Sequence, residues 1–195
     1  MTALLFGLYG VLMEDRTAEG CRRMETAAGV TDIDRMWAAY HHLRPAYEVG
    51  TYSAHHWWED VAVRARAPEL DIEAAITADW ETMMNPVYHT VDAALKLHDA
   101  GYTCGVLGNL PLCIAERLRD SQEWLAEFDA VIFSCDLGVR QPDPRAYAVA
   151  VDALGSTASD TIFFDRNPTH VAAAEAAGLR ARLYTGPNDI TELGE

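Results

Sequence analysis

Near the start of the chain, Ala3 to Leu8 form an unbroken apolar run that stops at Tyr9-Gly10. A run this short, without alternation and closed by a turn signal, reads as a strand buried on both faces. Such strands belong to parallel sheets, whose members are joined by helical crossovers, so the rest of the chain must supply layers of helix. From Val87 onward it does. Helical stretches at Val91–Ala100, Leu112–Asp120, Arg145–Leu154 and Val171–Ala177 alternate with strand-like runs at Thr103–Leu107, Ala130–Ser134, Thr161–Phe164 and Arg180–Tyr184. Gly101 and Gly178 stand where the first and last of these helices should stop. The expectation is an α/β fold, a Rossmann-like doubly wound parallel sheet, ending in a polar tail.

Between Leu12 and Val87 the pattern is helical only. One stretch runs from Thr17 to Ala28 and stops at Gly29; a second starts at the N-cap Asp32 and runs to Leu43, with Pro45 beyond it. Tyr47 to Tyr52 reads as a connection. Ser53 caps a third helix carrying His55, His56, Trp57, Trp58 and Val61, and a fourth runs from Asp71 to Met84 before Asn85-Pro86. Trp37, Tyr40, Tyr47, Tyr52, Trp57, Trp58 and Trp80 would fill the core of a small bundle. The expected organisation is an α/β core of residues 1–13 and 85–195, interrupted by an inserted helical unit at 14–84.

The 195 residues carry 30 acidic against 15 basic side chains, a net charge of −15. That balance argues against nucleic acid and against anionic membrane surfaces, both of which need Lys and Arg. It leaves room for a small anion in a locally positive pocket. Cys21, Cys104, Cys113 and Cys135 show no metal-ligand spacing, and Cys104 reads as a small buried hydrophobe. With the first core strand starting at Ala3 there is no room for a signal peptide, and no apolar run is of membrane-spanning length; the expected location is the cytoplasm. The pairs His41-His42 and His55-His56 lack the four-residue spacing that puts two imidazoles on one helix face, so they read as surface or core residues. Cys113, near a helix start that could lower its pKa, has no evident partner base.

The stretch Leu4-Leu5-Phe6-Gly7-Leu8-Tyr9-Gly10-Val11-Leu12 resembles the opening motif of the haloacid dehalogenase-like (HAD) superfamily, Phe-Asp-Leu-Asp-Gly-Val/Thr-Leu, and the resemblance extends over essentially the whole chain. It implies that the helical insert is the cap that closes over an active site. The phrasing from Tyr47 to Trp58 is similar to caps of the subfamily containing the phosphatase domain of epoxide hydrolases. It also implies four motif positions at the carboxyl ends of the strands. At the first, Gly7 stands where the aspartyl nucleophile belongs and Tyr9 where the general acid/base belongs. A tyrosine in that second place is similar to the haloacid dehalogenases, which work without metal but still need the aspartate. At the second, Gly108 replaces a hydroxyl residue and Asn109 is kept; at the third, Gln141 replaces the lysine before Pro142-Asp143-Pro144; at the fourth, Asp165 is kept while Arg166 replaces the second acid of a magnesium pair.

Each position has two readings. Gly7 and Tyr9 either only build the strand-turn corner, or the Tyr9 phenol faces the pocket mouth. Asn109 is a turn residue or a ligand contact. Arg140 is a solvated loop residue or compensates for Gln141. Arg166 either points inward, pairs with Asp165 and fills the metal's place, or points outward as a surface residue. Because nucleophile and metal site act as a unit, changes at Gly7, Tyr9, Gly108, Gln141 and Arg166 together remove the family's expected chemistry. The leading expectation is therefore a HAD-like protein with no catalytic residue, no metal site and no cofactor. It would bind a small anionic ligand between core and cap, through Tyr9, Asn109, Gln141, Asp165 and Arg166, or a protein partner. The alternative is a HAD-family hydrolase with residual or altered phosphatase- or dehalogenase-type activity, built on Tyr9, Asn109, Asp165 and Arg166, with His170 as a remote candidate. A third reading is an interaction protein presenting the aromatics of the insert, for example in a homodimer.

Overall fold

The computed structural model of the chain describes residues 2–191; residue 1 and residues 192–195, which end the expected core and its polar tail, lie outside the described residues. Five parallel strands form one sheet in the order β3-β2-β1-β4-β5: β1 (Ala3–Gly7), β2 (Thr103–Gly108), β3 (Ala130–Phe133), β4 (Thr161–Asp165) and β5 (Arg180–Leu183). The opening run is the central strand. Leu4 lies opposite Cys104 on one side and Ile162 on the other, and Phe6 opposite Val106 and Phe164.

Both faces of the sheet are covered, which is why β1 shows no alternation. One face packs Leu4, Phe6, Val106 and Phe164 against Val91 and Leu97 of α5 (Tyr88–Asp99) and Ile114 and Leu118 of α6 (Leu112–Ser121). The other packs Leu5, Leu107 and Phe163 against Tyr147 and Ala150 of α8 (Pro144–Ala153) and Ala174 of α9 (Pro168–Ala176).

Four helices stand between β1 and α5: α1 (Ala18–Ala28), α2 (Ile33–Tyr47), α3 (Ala54–Ala65) and α4 (Ile72–Glu81). Asp32 and Ser53 cap α2 and α3 as expected, each accepting a backbone N–H three residues on, and Gly29 closes α1 at φ 66°, where a side chain would be strained. The chain leaves and rejoins the sheet region at one place: Glu14 N–H donates to the Asn85 carbonyl at 2.8 Å, and Val87 N–H to that of Leu12 at 2.8 Å. The block has its own core, in which the Tyr47 and Trp57 rings stack at 4.4 Å while Tyr40 and Trp58 meet Trp57 edge-on. Trp57 and Trp58 are both fully buried, so they offer no aromatic face to a partner. Among the described residues no helix is long and apolar enough to cross a membrane.

Some boundaries differ from those expected. Helix α2 runs through Pro45 to Tyr47: the proline forfeits one helix bond, that to the His41 carbonyl, while the ladder resumes with Glu48 N–H on the Arg44 carbonyl and Tyr47 is held by its stack on Trp57. Helix α4 stops at Glu81, short of Met84. The loop after β3 begins with a helical turn, α7 (Ser134–Leu137), and the expected tail contains another, α10 (Asn188–Thr191). Helix α9 begins three residues earlier than expected. Asn167 caps it and Pro168 takes the first position, where its missing N–H is harmless.

Replacing Trp57 by alanine empties the centre of the helical block and should lower stability by about 3–5 kcal/mol in urea unfolding. Val63→Ala, on the same helix but 78% exposed, should change it by less than about 0.5 kcal/mol.

Candidate functional site

The carboxyl ends of β1, β2 and β4 open into a cavity of about 560 Å³ whose far wall is the helical block. Its floor is set by neighbouring strands. Phe6 pairs with Phe164, so Gly7 and Asp165 leave the sheet side by side. The Asp165 carboxylate leans over Gly7: a Cβ on residue 7 would lie 2.6 Å from Asp165 Oδ2 and 3.2 Å from the Phe164 carbonyl oxygen. No side chain fits there without moving Asp165. The carboxylate itself is held at both oxygens. Asn167 N–H donates to Oδ1 at 2.7 Å, and His170 Nδ1 lies 3.2 Å from Oδ2. His170 sits in the first turn of α9, and the Tyr147 hydroxyl donates to its carbonyl at 2.9 Å.

The other motif positions line the same cavity with different results. Tyr9 is in its wall; its hydroxyl donates to the Met83 carbonyl at 3.3 Å, and burial pushes the phenol above its ordinary range, so it stays protonated. Asn109 is engaged with backbone: its amide donates to the Gln141 carbonyl at 3.0 Å and its oxygen accepts the Gln141 N–H at 2.9 Å. It thus ties the loop after β2 to the loop after β3. At Gly108 a Cβ would lie 2.9 Å from that of Leu8, so the hydroxyl residue implied by the resemblance would not fit unchanged. The Gln141 side chain is buried beside Tyr147, and its Nε2 has no hydrogen-bond partner. Arg166 points outward. Its guanidinium is two-thirds exposed and donates to Asp15 Oδ2 at 3.2 Å, so the inward pairing with Asp165 does not occur. The partner of Asp165 is His170.

The opposite wall holds charges that the sequence did not mark. Asp79 of α4, 2% exposed, accepts from Arg16, from Arg44 of α2 at 3.3 Å and from the Tyr40 hydroxyl at 2.8 Å. Arg44 also donates to Glu48 Oε1 at 2.9 Å, and Arg140, from the loop after β3, donates to Glu48 Oε2 at 2.9 Å. The Glu48 carbonyl accepts from Ser134 of α7 at 2.5 Å. Gly50, at φ 78°, passes so close to α7 that a Cβ there would lie 2.6 Å from the Cys135 carbonyl oxygen. One network therefore spans the block and the sheet side. In it three guanidiniums face two carboxylates, leaving one positive charge on the cavity wall.

The donor set does not suit magnesium, which prefers an octahedron of hard oxygens. Gly7 offers no side-chain oxygen, and both oxygens of Asp165 are already engaged. Among the described residues no group of three or more His, Cys, Asp or Glu side chains is placed to hold a metal ion. Cys113 corrects the idea of a lowered thiol pKa: burial pushes it up, against the partial relief of a 2.9 Å contact with the Tyr47 hydroxyl. His55 and His56 are exposed beside Glu59.

Burial also pushes Tyr40 and Tyr147 up, each to about 12. Unfolded, a tyrosine ionises near pH 10, so above that value the unfolded chain releases protons that the folded one keeps. Their contribution to stability is complete below about pH 10 and is lost as pH rises towards 12. Urea unfolding over this range should show a loss of about 2–3 kcal/mol from Tyr40, and Tyr40→Phe should flatten the decline.

The comparisons agree with this architecture. The haloacid dehalogenase-like hydrolase family matches residues 1–178. An (S)-2-haloacid dehalogenase of Pseudomonas fluorescens is 26% identical over 185 residues, covering 90% of this chain and 80% of its own. A validoxylamine A 7'-phosphate phosphatase of Streptomyces hygroscopicus subsp. limoneus is 28% identical over 201 residues, covering 98% and 89%. In three dimensions, a HAD family enzyme of Bacteroides thetaiotaomicron superimposes with a TM-score of 0.83 over 100% of this chain and 98% of its own; at 16% identity that likeness speaks for the fold alone. The chain belongs to the haloacid dehalogenase-like hydrolases.

Proposed function

We propose that this chain is a HAD-family hydrolase of altered chemistry. It takes a small carboxylate monoanion between core and helical cap and works without magnesium and without a nucleophile at position 7. The observation that carries the reading is the crowding over Gly7, where Asp165 Oδ2 fills the space of the missing side chain. An aspartate on β1 could stand there only if the Asp165 carboxylate turned aside. Kinship supports hydrolysis, since relatives similar over most of the chain are named as dehalogenases and phosphatases. The single surplus positive charge of the Arg16, Arg44 and Arg140 network suits a monoanion better than a phosphate dianion. Arg140, the least buried of the three, is the one with a face left for a ligand carboxylate. Tyr9 stays a neutral phenol in the wall, its O–H turned to the Met83 carbonyl.

A second reading is favoured by Gln141, whose neutral side chain with an unpaired buried amide replaces the charge expected there. On that reading the pocket binds its anion and turns nothing over.

The test is release of halide from 2-halopropionates, measured beside hydrolysis of an aryl phosphate, with Mg²⁺ and with EDTA. Halide release unchanged by EDTA supports the proposal. Aryl phosphate turnover that EDTA abolishes would overturn it, and stabilisation by the 2-halopropionate without turnover would favour the binding reading. Gly7→Asp should not restore phosphatase activity. It should instead lower stability by about 1–3 kcal/mol through overpacking, read as a shift in urea midpoint.

A further inference from the structure

We propose that Asp165 is the nucleophile of this site, working from β4 in place of the side chain that β1 lacks, with His170 as the base that releases the product. The inference rests on the hydrolytic reading above and adds the residues that carry it.

The geometry at the sheet edge is specific. In any aspartate, bond lengths place a carboxylate oxygen about 2.4 Å from its own Cβ. Asp165 Oδ2 lies 2.6 Å from the Cβ position of residue 7. A carboxylate oxygen therefore sits at the reach of an aspartate on residue 7, delivered from the adjacent strand instead. The arrangement exists only because residue 7 is glycine. The two positions are coupled: the absent side chain makes the space, and the neighbouring carboxylate fills it.

Asp165 is also equipped as a nucleophile should be. The Asn167 N–H fixes Oδ1 and His170 Nδ1 fixes Oδ2, so one rotamer is held and the carboxylate is aimed into the cavity it lines. A carboxylate with an adjacent imidazole is a pairing that serves covalent catalysis. The Tyr147 hydroxyl holds the His170 main chain by its carbonyl, and Asp165 Oδ2 itself orients the imidazole. With Nδ1 turned to Asp165, Nε2 is the nitrogen left to exchange a proton. No other carboxylate at the carboxyl end of the sheet lines the cavity among the described residues; Asp15 and Glu48 belong to the segment before α1 and the end of α2, where they pair with Arg166, Arg44 and Arg140.

The reaction balances without a cofactor. With a 2-halocarboxylate, an Asp165 Oδ2 lone pair forms a bond to C2 as the carbon–halogen bond breaks, and the halide leaves with the electron pair. Water then adds to the Asp165 ester carbonyl, giving a proton to His170 Nε2. Collapse of the tetrahedral oxyanion expels the C2 alkoxide, which takes the proton back from the imidazolium, and the restored carboxyl group ionises to solvent. Substrate and water give a 2-hydroxycarboxylate, halide and one proton.

Repeated turnover of 2-chloropropionate in ¹⁸O-water, followed by proteolysis and mass spectrometry, tests the assignment. It should leave heavy oxygen in the peptide containing Asp165. With enzyme in excess, the first-turnover product should carry light oxygen from the protein. Heavy oxygen in that first product with an unlabelled Asp165 peptide would overturn the proposal, since water would then attack the substrate directly. Asp165→Asn should lose at least a hundredfold in kcat while keeping the melting temperature and the affinity for lactate. His170→Gln should still release one equivalent of halide and then stall as a covalent adduct visible in the intact mass, an outcome that a merely structural histidine would not give. Lactate binding with no halide release at all would overturn the hydrolytic reading and this assignment with it, and halide assays separate that result from a failed label.

Discussion

The ionic network around Asp79 holds the pocket together. A carboxylate this deeply buried is stable only when its oxygens are fully partnered; Arg16, ahead of α1, and Tyr40 and Arg44, one turn apart on α2, do so. Removing Asp79 would take from Arg16, with about nine-tenths of its side chain out of solvent, its carboxylate partner, and leave Arg44 with Glu48 alone. The consequence reaches beyond stability. Arg44 continues to Glu48, Glu48 to Arg140, and the Glu48 carbonyl to Ser134, so the block and the loop after β3 cannot shift independently. The charge that faces the cavity is fixed by the interactions that fix its shape.

On the other side the controlling constraint is steric. Two parallel strands in register bring Gly7 and Asp165 together, and the space above them admits one carboxylate. In the resemblance, that carboxylate belongs to β1 and the residue at the end of β4 turns to a metal. Here the roles of the two strands are exchanged. Gln141 fits the exchange: a lysine in its place would lie in a buried setting where Asp165 is already satisfied by a backbone amide and an imidazole. Arg166 fits too, since with no metal pair to complete it is free to bridge to Asp15 at the rim.

Much of the fold was legible because it rests on local rules. Apolar runs of strand length, capping residues at Asp32 and Ser53, and the stop glycines Gly29, Gly101 and Gly178 locate most elements to within a few residues. Pro45 misled because a proline removes one helix bond without ending the helix where packing holds the turn beyond it, as the stack of Tyr47 on Trp57 does. The site was legible only as a set of positions. That Gly7, Gln141 and Arg166 replace charged or nucleophilic residues can be read from the letters, but where Arg166 points depends on Asp15, a residue 151 positions away. Asn109 read as a turn residue or a ligand contact, and its amide is used on the Gln141 backbone, a contact no spacing encodes. Asp79 and Arg44 carry no motif, and Glu48 lies in a stretch that reads as a connection. One signal was available and undervalued: Asn167-Pro168 starts a helix, which places His170 in its first turn, close to the end of the strand carrying Asp165.

The two walls together decide what the pocket can accept. A dianionic phosphate would need cationic charge near the sheet edge, where an Asp165 carboxylate and a neutral Gln141 now stand. A carboxylate can instead be anchored at the guanidinium wall, with its neighbouring carbon presented to the sheet. Gln141, neutral and buried beside Tyr147, adds no charge to the sheet-side wall. The changes at Gly7, Gln141 and Arg166 are thus mutually consistent, as expected of a site reorganised around a relocated carboxylate and not of one decaying position by position.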